Sequence, residues 1–461
     1  MSSRETSRVA VIGAGWAGMA AALGAARAGH DVTVLETART LGGRARAVHA
    51  VDRDGSTLTL DNGQHILIGA YGECLRLMRE VGVDIERAML RMPLSLRYPD
   101  GSGLALPDCA PPWDALAGIA RARGWTVGER IALLTRATRW QWSGFRCPES
   151  ASVSDICAGL PRKLMDEFID PLCVSALNTV AAQSSARVFL RVIKDSLFSG
   201  RGGSNMLLPR ADLSELFPVP AARWLEQRGH RVETGRRVQV LQRARAGWLV
   251  DGESFDAVVL ATSSTEAARL VLAAASAATW GDSAQDAMSA SERSALQDWA
   301  RTAQALEFSA IATVYARTPD GEPARLAAPM LALRPDARQP AQFVFDREQL
   351  GGPAGLLAFV VSAFEGERDD LAGQVLSQAA RQLGLTGLQH VQTVVEKRAT
   401  FRCTPSLRRP AMQIAPSLQA CGDYVDGPYP ATLEGAVLHG TAAAQRLPSP
   451  PGSMPTTSPR H

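Results

Sequence analysis

The sequence predicts an α/β architecture: a Rossmann-like dinucleotide-binding domain and a discontinuous substrate domain of helices plus antiparallel sheet. Three observations predict it. Residues 9–36 read as a buried strand, a glycine-rich turn, a small-residue helix and a second strand ending in an acid. Residues 419–446 read as a short strand, a Gly-Asp turn and a last helix. Between them lie strand-like runs at 309–316, 330–333, 342–346, 356–363 and 391–400, the make-up of a sheet in a second domain.

In chain order, Val9, Ala10, Val11 and Ile12 form the first apolar run, and residues 15–28 a helix of small side chains. Residues 31–35 are the second strand, and 56–61 a further one. From 111 to 199 the pattern is helical, with interruptions expected at Pro148, Pro161 and Pro171. A helix at 220–228 precedes a strand at 231–234. Residues 238–242 and 247–250 suggest a hairpin, and 257–261 a buried strand. The Ala/Ser-rich stretch 273–294 reads as a loop and a helix start. Residues 371–383 read as a helix, and the Pro/Ser/Thr-rich tail 447–461 as disordered. The division expected is 1–95, 205–265 and 400–446 for the dinucleotide-binding domain, with 96–204 and 266–399 as the substrate-binding cap.

The most informative segment is Gly13-Ala14-Gly15-Trp16-Ala17-Gly18. Gly13 permits a tight turn, Gly15 lets the backbone approach a pyrophosphate, and Gly18 lets helix and strand pack closely. The helix N-terminus then faces the phosphates with its partial positive charge. Glu36 ends the next strand 18 residues after Gly18. An acid there accepts a hydrogen bond from a ribose hydroxyl and disfavours a 2′-phosphate, which selects FAD or NAD over NADP.

Bulk properties exclude other classes. The 461 residues exceed one ordinary core. A net charge of +3 gives no electrostatic case for nucleic acid. The seven cysteines are dispersed, with no CxxC pair and no metal-ligand spacing, so no metal is expected and a reducing cytoplasm fits. No signal-type segment and no apolar run of about 18 residues is present, so no membrane span is expected.

Further segments carry a resemblance. They are Asp61-Asn62-Gly63-Gln64-His65 with Gly69-Ala70-Tyr71, Pro171-Leu172-Cys173 with Ala176-Leu177-Asn178-Thr179, Lys397-Arg398-Ala399-Thr400-Phe401, and Tyr429-Pro430-Ala431-Thr432-Leu433-Glu434-Gly435-Ala436. Together they resemble the squalene-associated FAD-dependent desaturases, known functionally as hydroxysqualene dehydroxylases, within the flavin amine oxidase and phytoene desaturase superfamily. The resemblance runs from about residue 9 to about residue 444. It implies that the dinucleotide is FAD, held without a covalent link. By the same resemblance, Gly42-Gly43-Arg44 contacts the pyrophosphate and Asp423, after Gly422, binds the ribityl chain. Thr432 and Leu433 then start the helix that points at the flavin. An NAD-only enzyme would not need this C-terminal return. Backbone groups around Val238 are candidates for an adenine contact, with a plain hairpin strand as the other reading.

The activity the resemblance implies is reductive dehydroxylation of hydroxysqualene to squalene, a step feeding hopanoid synthesis, with an external reductant. Losing hydroxide from an allylic carbon is hard unless the oxygen is protonated. His65, with Gln64 beside it, is the best candidate acid; the other reading is that both only hydrogen-bond the backbone or the flavin. Glu434 is read as a capping residue. Two alternatives stay open: a desaturase or oxidase of a carotenoid or amine, and a non-catalytic flavin- or lipid-binding subunit. Residues 113–145 carry Trp113, Trp125, Trp140 and Trp142 among Arg121, Arg123, Arg130, Arg136 and Arg139. This pattern suits either a bilayer interface or a tunnel lining. A long-chain isoprenoid substrate would make peripheral contact with the inner face of the membrane useful.

Overall fold

The structure is a computed structural model that describes residues 7–51, 55–276 and 288–449. Part of the 273–294 stretch and most of the tail expected at 447–461 lie outside the described residues. The central sheet has six strands in the order Arg231–Glu233, Asp31–Leu35, Arg8–Ile12, Ala257–Leu260, Leu418–Ala420, Gln413–Ala415. All neighbours are parallel except the last pair. Val9, Val11, Val32, Val34, Val258 and Val259 are buried, because a parallel sheet is covered on both faces and its strands are apolar without alternation. The chain thus returns to one sheet from three separate stretches of sequence.

On one face of this sheet the helix Trp16–Arg27 packs along the last helix, Leu433–Gln445. Small residues make the contact possible. A side chain at Gly440 would put its Cβ 2.2 Å from the Ala17 carbonyl oxygen, and one at Gly24 would lie 2.5 Å from the Ala444 methyl.

The second sheet is antiparallel, in the order Met330–Ala332, Phe343–Asp346, Leu356–Phe364, Phe308–Arg317, Gln389–Phe401. Alternation along its strands divides two cores. Val314, Val344, Phe359 and Val361 face the helix Arg368–Leu383 with Leu371, Val375 and Ala379. Tyr315, Phe343, Phe345 and Val360 face the main core. Asn178, at the left-handed end of the helix Asp170–Leu177, ties this sheet down. Its Nδ2 donates to Thr400 Oγ1 at 3.1 Å, and its Oδ1 accepts from the Ala363 N–H at 2.6 Å.

Three expectations are corrected. The helix Ser264–Ser276 runs into the stretch read as a loop; its buried face is mostly alanine (Ala267, Ala268, Ala274, Ala275), too small to give a strong apolar period. Pro171 does not interrupt the helix there. A π turn at Met165–Ile169 precedes it and relaxes the ordinary register where proline has no N–H to give. The hairpin strand begins at Leu241, not 238, and pairs with Trp248–Val250.

The helix contact generates a test. Gly440→Val should destabilise the fold by about 1–3 kcal/mol through overpacking, read as a lower urea midpoint with an unchanged slope.

Candidate functional site

The first helix begins at a bare end. Gly15 is its N-cap, no side chain caps it, and no acid lies in its first turn. Its first N–H groups and dipole are therefore left for an anion. These groups border a cleft of about 360 Å³ lined by Gly13, Gly15, Glu36, Gly42, Gly43, Arg44, Gly422, Asp423, Thr432 and Leu433. Ten of the twelve residues expected to hold a cofactor are thus brought together.

The glycines have different reasons. Gly13 has φ +110°, and a Cβ there would meet the Ala261 carbonyl oxygen at 2.6 Å. A Cβ at Gly18 would meet Gly13's own carbonyl oxygen at 1.9 Å. Gly18 does not line the cleft; it seats the helix on the turn, as its place in the fingerprint requires. Gly15 differs from both. Its φ is −76°, and a Cβ would find nothing nearer than 3.8 Å. The protein itself has no use for a glycine there. The missing side chain leaves room in the cleft, and that fits a pyrophosphate lying against the helix end.

Glu36 accepts from Ala14 N–H at 2.7 Å with one oxygen and from Ala38 N–H at 2.8 Å with the other. It holds the glycine turn to the end of the second strand and keeps lone pairs for a diol. Arg44 forms an ion pair with Asp423 and donates to the Ala399 carbonyl at 2.8 Å. Burial opposes the Arg44 charge, but Asp423 outweighs it, so the guanidinium is held more firmly protonated than usual. Val238 stays apart. It is buried, its carbonyl accepts from Arg269 at 2.8 Å, and it does not line the cleft. Its position on a hairpin did not show this, because the strand starts later.

A second cavity, of about 270 Å³, adjoins the cleft. Arg44, His65, Ala399, Thr400, Ala431, Thr432 and Leu433 line both. Its walls are otherwise largely apolar, with Ile66, Leu94, Leu96, Leu172, Phe343, Phe345 and Val360 among them. The central phenylalanines reach it because alternation in the second sheet turns them that way.

His65 sits on the shared wall. Its Nδ1 lies 3.2 Å from the Gly63 carbonyl oxygen. Burial lowers its pKa, Gly63 opposes that, and Arg44 adds to it, so the ring is neutral at neutral pH. Gln64 is locked: its Nε2 donates to Tyr315 Oη at 2.9 Å, and its Oε1 accepts from Arg347 at 3.0 Å. Tyr315 in turn donates to the Asp61 carbonyl at 2.8 Å. Burial raises the Asp61 carboxyl to about 6, against the N–H of Leu213 and the charge of Arg347. Tyr315 and Arg347 were missed in the sequence. They lie more than 250 residues from Gln64 and carry no local motif.

Glu434 is a cap, but of another helix. Its two oxygens accept from the N–H groups of Glu73 and Cys74, both at 2.9 Å, at the start of Gly72–Glu80. Thr432 caps Glu434's own helix through the Gly435 N–H at 3.0 Å. Among the described residues no cluster of His, Cys, Asp or Glu could hold a metal, and no helix is long and apolar enough to cross a membrane.

Comparison with known proteins agrees with this geometry. The profile of the family described as flavin containing amine oxidoreductase matches residues 16–448. Hydroxysqualene dehydroxylase of Rhodopseudomonas palustris is 28% identical over 95% of this chain and 97% of its own. The protein of the same name from Sinorhizobium fredii is 25% identical over 95% and 97%. Among solved structures, an oxidoreductase from Methanosarcina mazei superposes with a TM-score of 0.68 at 17% identity, covering 95% of this chain and 100% of that one. At that identity the likeness concerns the fold alone.

The glycine argument gives the test. Gly15→Val should remove flavin from the purified protein, read as absorbance near the visible flavin band, while costing only about 1 kcal/mol of stability. Gly13→Val should lose both fold and flavin. A Gly15→Val protein that keeps its flavin would overturn this account of the cleft.

Proposed function

The chain belongs to the flavin-containing amine oxidoreductase family and is a flavin-dependent oxidoreductase; from that premise we propose that it removes the hydroxyl of hydroxysqualene reductively, using FAD, to give squalene. The observation that carries this reading is the junction of cavity and cleft. An apolar chamber suited to an isoprenoid chain meets the dinucleotide cleft at His65, Thr432 and Leu433. Two relatives that match along nearly their whole length bear the name of this activity.

In the proposed reaction a C–O bond breaks, a C–H bond forms and the oxygen leaves as water after gaining one proton. Reduced FAD supplies the hydride when bound, and an external reductant renews it. The residues that would hold FAD are Gly13, Gly15, Glu36, Gly42, Gly43, Arg44, Gly422, Asp423, Thr432 and Leu433, with no covalent link. The chain's own contribution at the carbon is exclusion of water. Ile66, Leu94, Phe343 and Phe345 offer no nucleophile to a developing allylic cation. His65 is the proposed proton donor, fixed by its contact with Gly63. Gln64, held by Tyr315 and Arg347, positions the wall beside it.

Because its pKa is lowered, His65 is mostly unprotonated at neutral pH, and only its imidazolium can deliver the proton. The chemical step should therefore speed up by about tenfold per unit as pH falls from 8 toward its pKa. His65→Ala should slow single-turnover oxidation of prereduced enzyme by hydroxysqualene by about 100- to 10,000-fold, with FAD retained. His65→Gln should also be slow. An unchanged rate in His65→Ala, or a flat pH profile, removes His65 from the reaction.

The reading as a whole is tested by incubating the purified protein with hydroxysqualene, FAD and a reductant. Squalene should form. Rapid turnover of an amine or carotenoid in air, with no reductant and no squalene formed, would assign the site to an oxidase or desaturase instead.

A further inference from the structure

Eight large hydrophobic residues are conspicuously exposed among the described residues, and five of them fall on two consecutive helices, Trp113–Arg121 and Val127–Trp142. They are Trp113, Leu116, Val127, Ile131 and Trp142, with Trp142 85% and Trp113 67% exposed. On the second helix Val127, Ile131 and Trp142 fall in one stripe with Thr135 and Thr138, steps of three and four residues apart, while Leu133 and Trp140 are buried on the other side. Both faces of this helix therefore carry large apolar groups, and only one is covered by the protein. That is unusual for a surface helix.

The charge around the stripe says what covers it. Residues 111–147 hold six arginines against two acids. Arg130 and Arg136 are used internally, donating to the carbonyls of Ala122 and Ile156. Arg121, Arg123, Arg139 and Arg146 are exposed and form no ion pair among the described residues. Of the two acids, Asp114 is buried and Glu129 closes the capping box of the second helix. Exposed tryptophans flanked by unpaired arginines match the interface of an anionic bilayer: rings at headgroup depth, guanidinium groups on phosphates.

We infer that these two helices are a docking surface for the anionic face of a lipid bilayer. The surface adjoins the apolar cavity. Asp114, next to Trp113, accepts from Ser204, which lines that cavity. Phe145, just after the second helix, packs at 5.3 Å on Phe198, next to the cavity-lining Leu197. A membrane-resident substrate would thus have a short path inward; this use of the surface rests on the proposed reaction, whereas the surface itself rests on its own geometry.

The test uses the full-length, flavin-loaded protein and vesicle flotation. Vesicles of phosphatidylglycerol mixed with phosphatidylcholine should carry the protein up, high salt should weaken the binding, and pure phosphatidylcholine should bind less. Trp113→Ser combined with Ile131→Ser and Trp142→Ser should weaken binding by about tenfold or more. Arg121→Glu with Arg139→Glu should weaken it by about fivefold or more per charge. Val240→Ser, at an exposed apolar residue elsewhere, should bind as the parent does. Absence of flotation, or serine variants that float like the parent, overturns the inference. So does a parent dimer that the serine variants split into monomers, which would assign the stripe to a second copy. Turnover of detergent-dispersed hydroxysqualene is measured in parallel: if it fails while vesicle binding responds as stated, the proposed reaction is lost and the docking surface stands.

Discussion

Two helices from opposite ends of the chain, Trp16–Arg27 and Leu433–Gln445, approach so closely that only small residues fit between them, and the site depends on that contact. Gly440 lies beneath the Ala17 carbonyl, and Gly24 against Ala444. With the parallel pairing of Arg8–Ile12, Ala257–Leu260 and Leu418–Ala420, the contact brings the starts of both helices to one cleft. Their dipoles then act on the same volume. The ion pair between Arg44 and Asp423 crosses the same boundary. It keeps two oppositely charged groups in place where either alone would be a partly buried, unpaired charge.

The second constraint is the wall shared by cleft and cavity. His65, Thr432 and Leu433, with Arg44, Ala399, Thr400 and Ala431, belong to both, so a dinucleotide in the cleft and an apolar ligand in the cavity would meet along them. Their rigidity comes from elsewhere. Gln64 is held by Tyr315 from the second sheet and by Arg347 from the short turn after Phe343–Asp346. Asn178 pins the bulged region of the same sheet. Burial at this wall also governs the protonation states: it is the largest cause that lowers the His65 pKa and raises that of Asp61.

Legibility varied with sequence separation. The fingerprint from Gly13 to Glu36 is local, and ten expected cofactor residues line one cleft. Val238 lies outside this cleft, its carbonyl taken by Arg269, a contact that no local pattern around it records. The helix Ser264–Ser276 was hidden because alanines bury well yet carry little hydrophobic contrast. Glu434 was readable as a cap, but not as the cap of Gly72–Glu80, whose N-terminus is far away in sequence.

By itself the sequence determined the α/β fold, the dinucleotide fingerprint and the family resemblance, because each rests on short-range spacing that backbone geometry imposes. Only the tertiary structure showed that Gly15, unlike Gly13 and Gly18, has open space where a side chain would go. It also decided which face of the helix Val127–Trp142 stays bare, and which partners, Tyr315 and Arg347, hold Gln64. The partners of Gln64 lie more than 250 positions away, where no local period records the outcome.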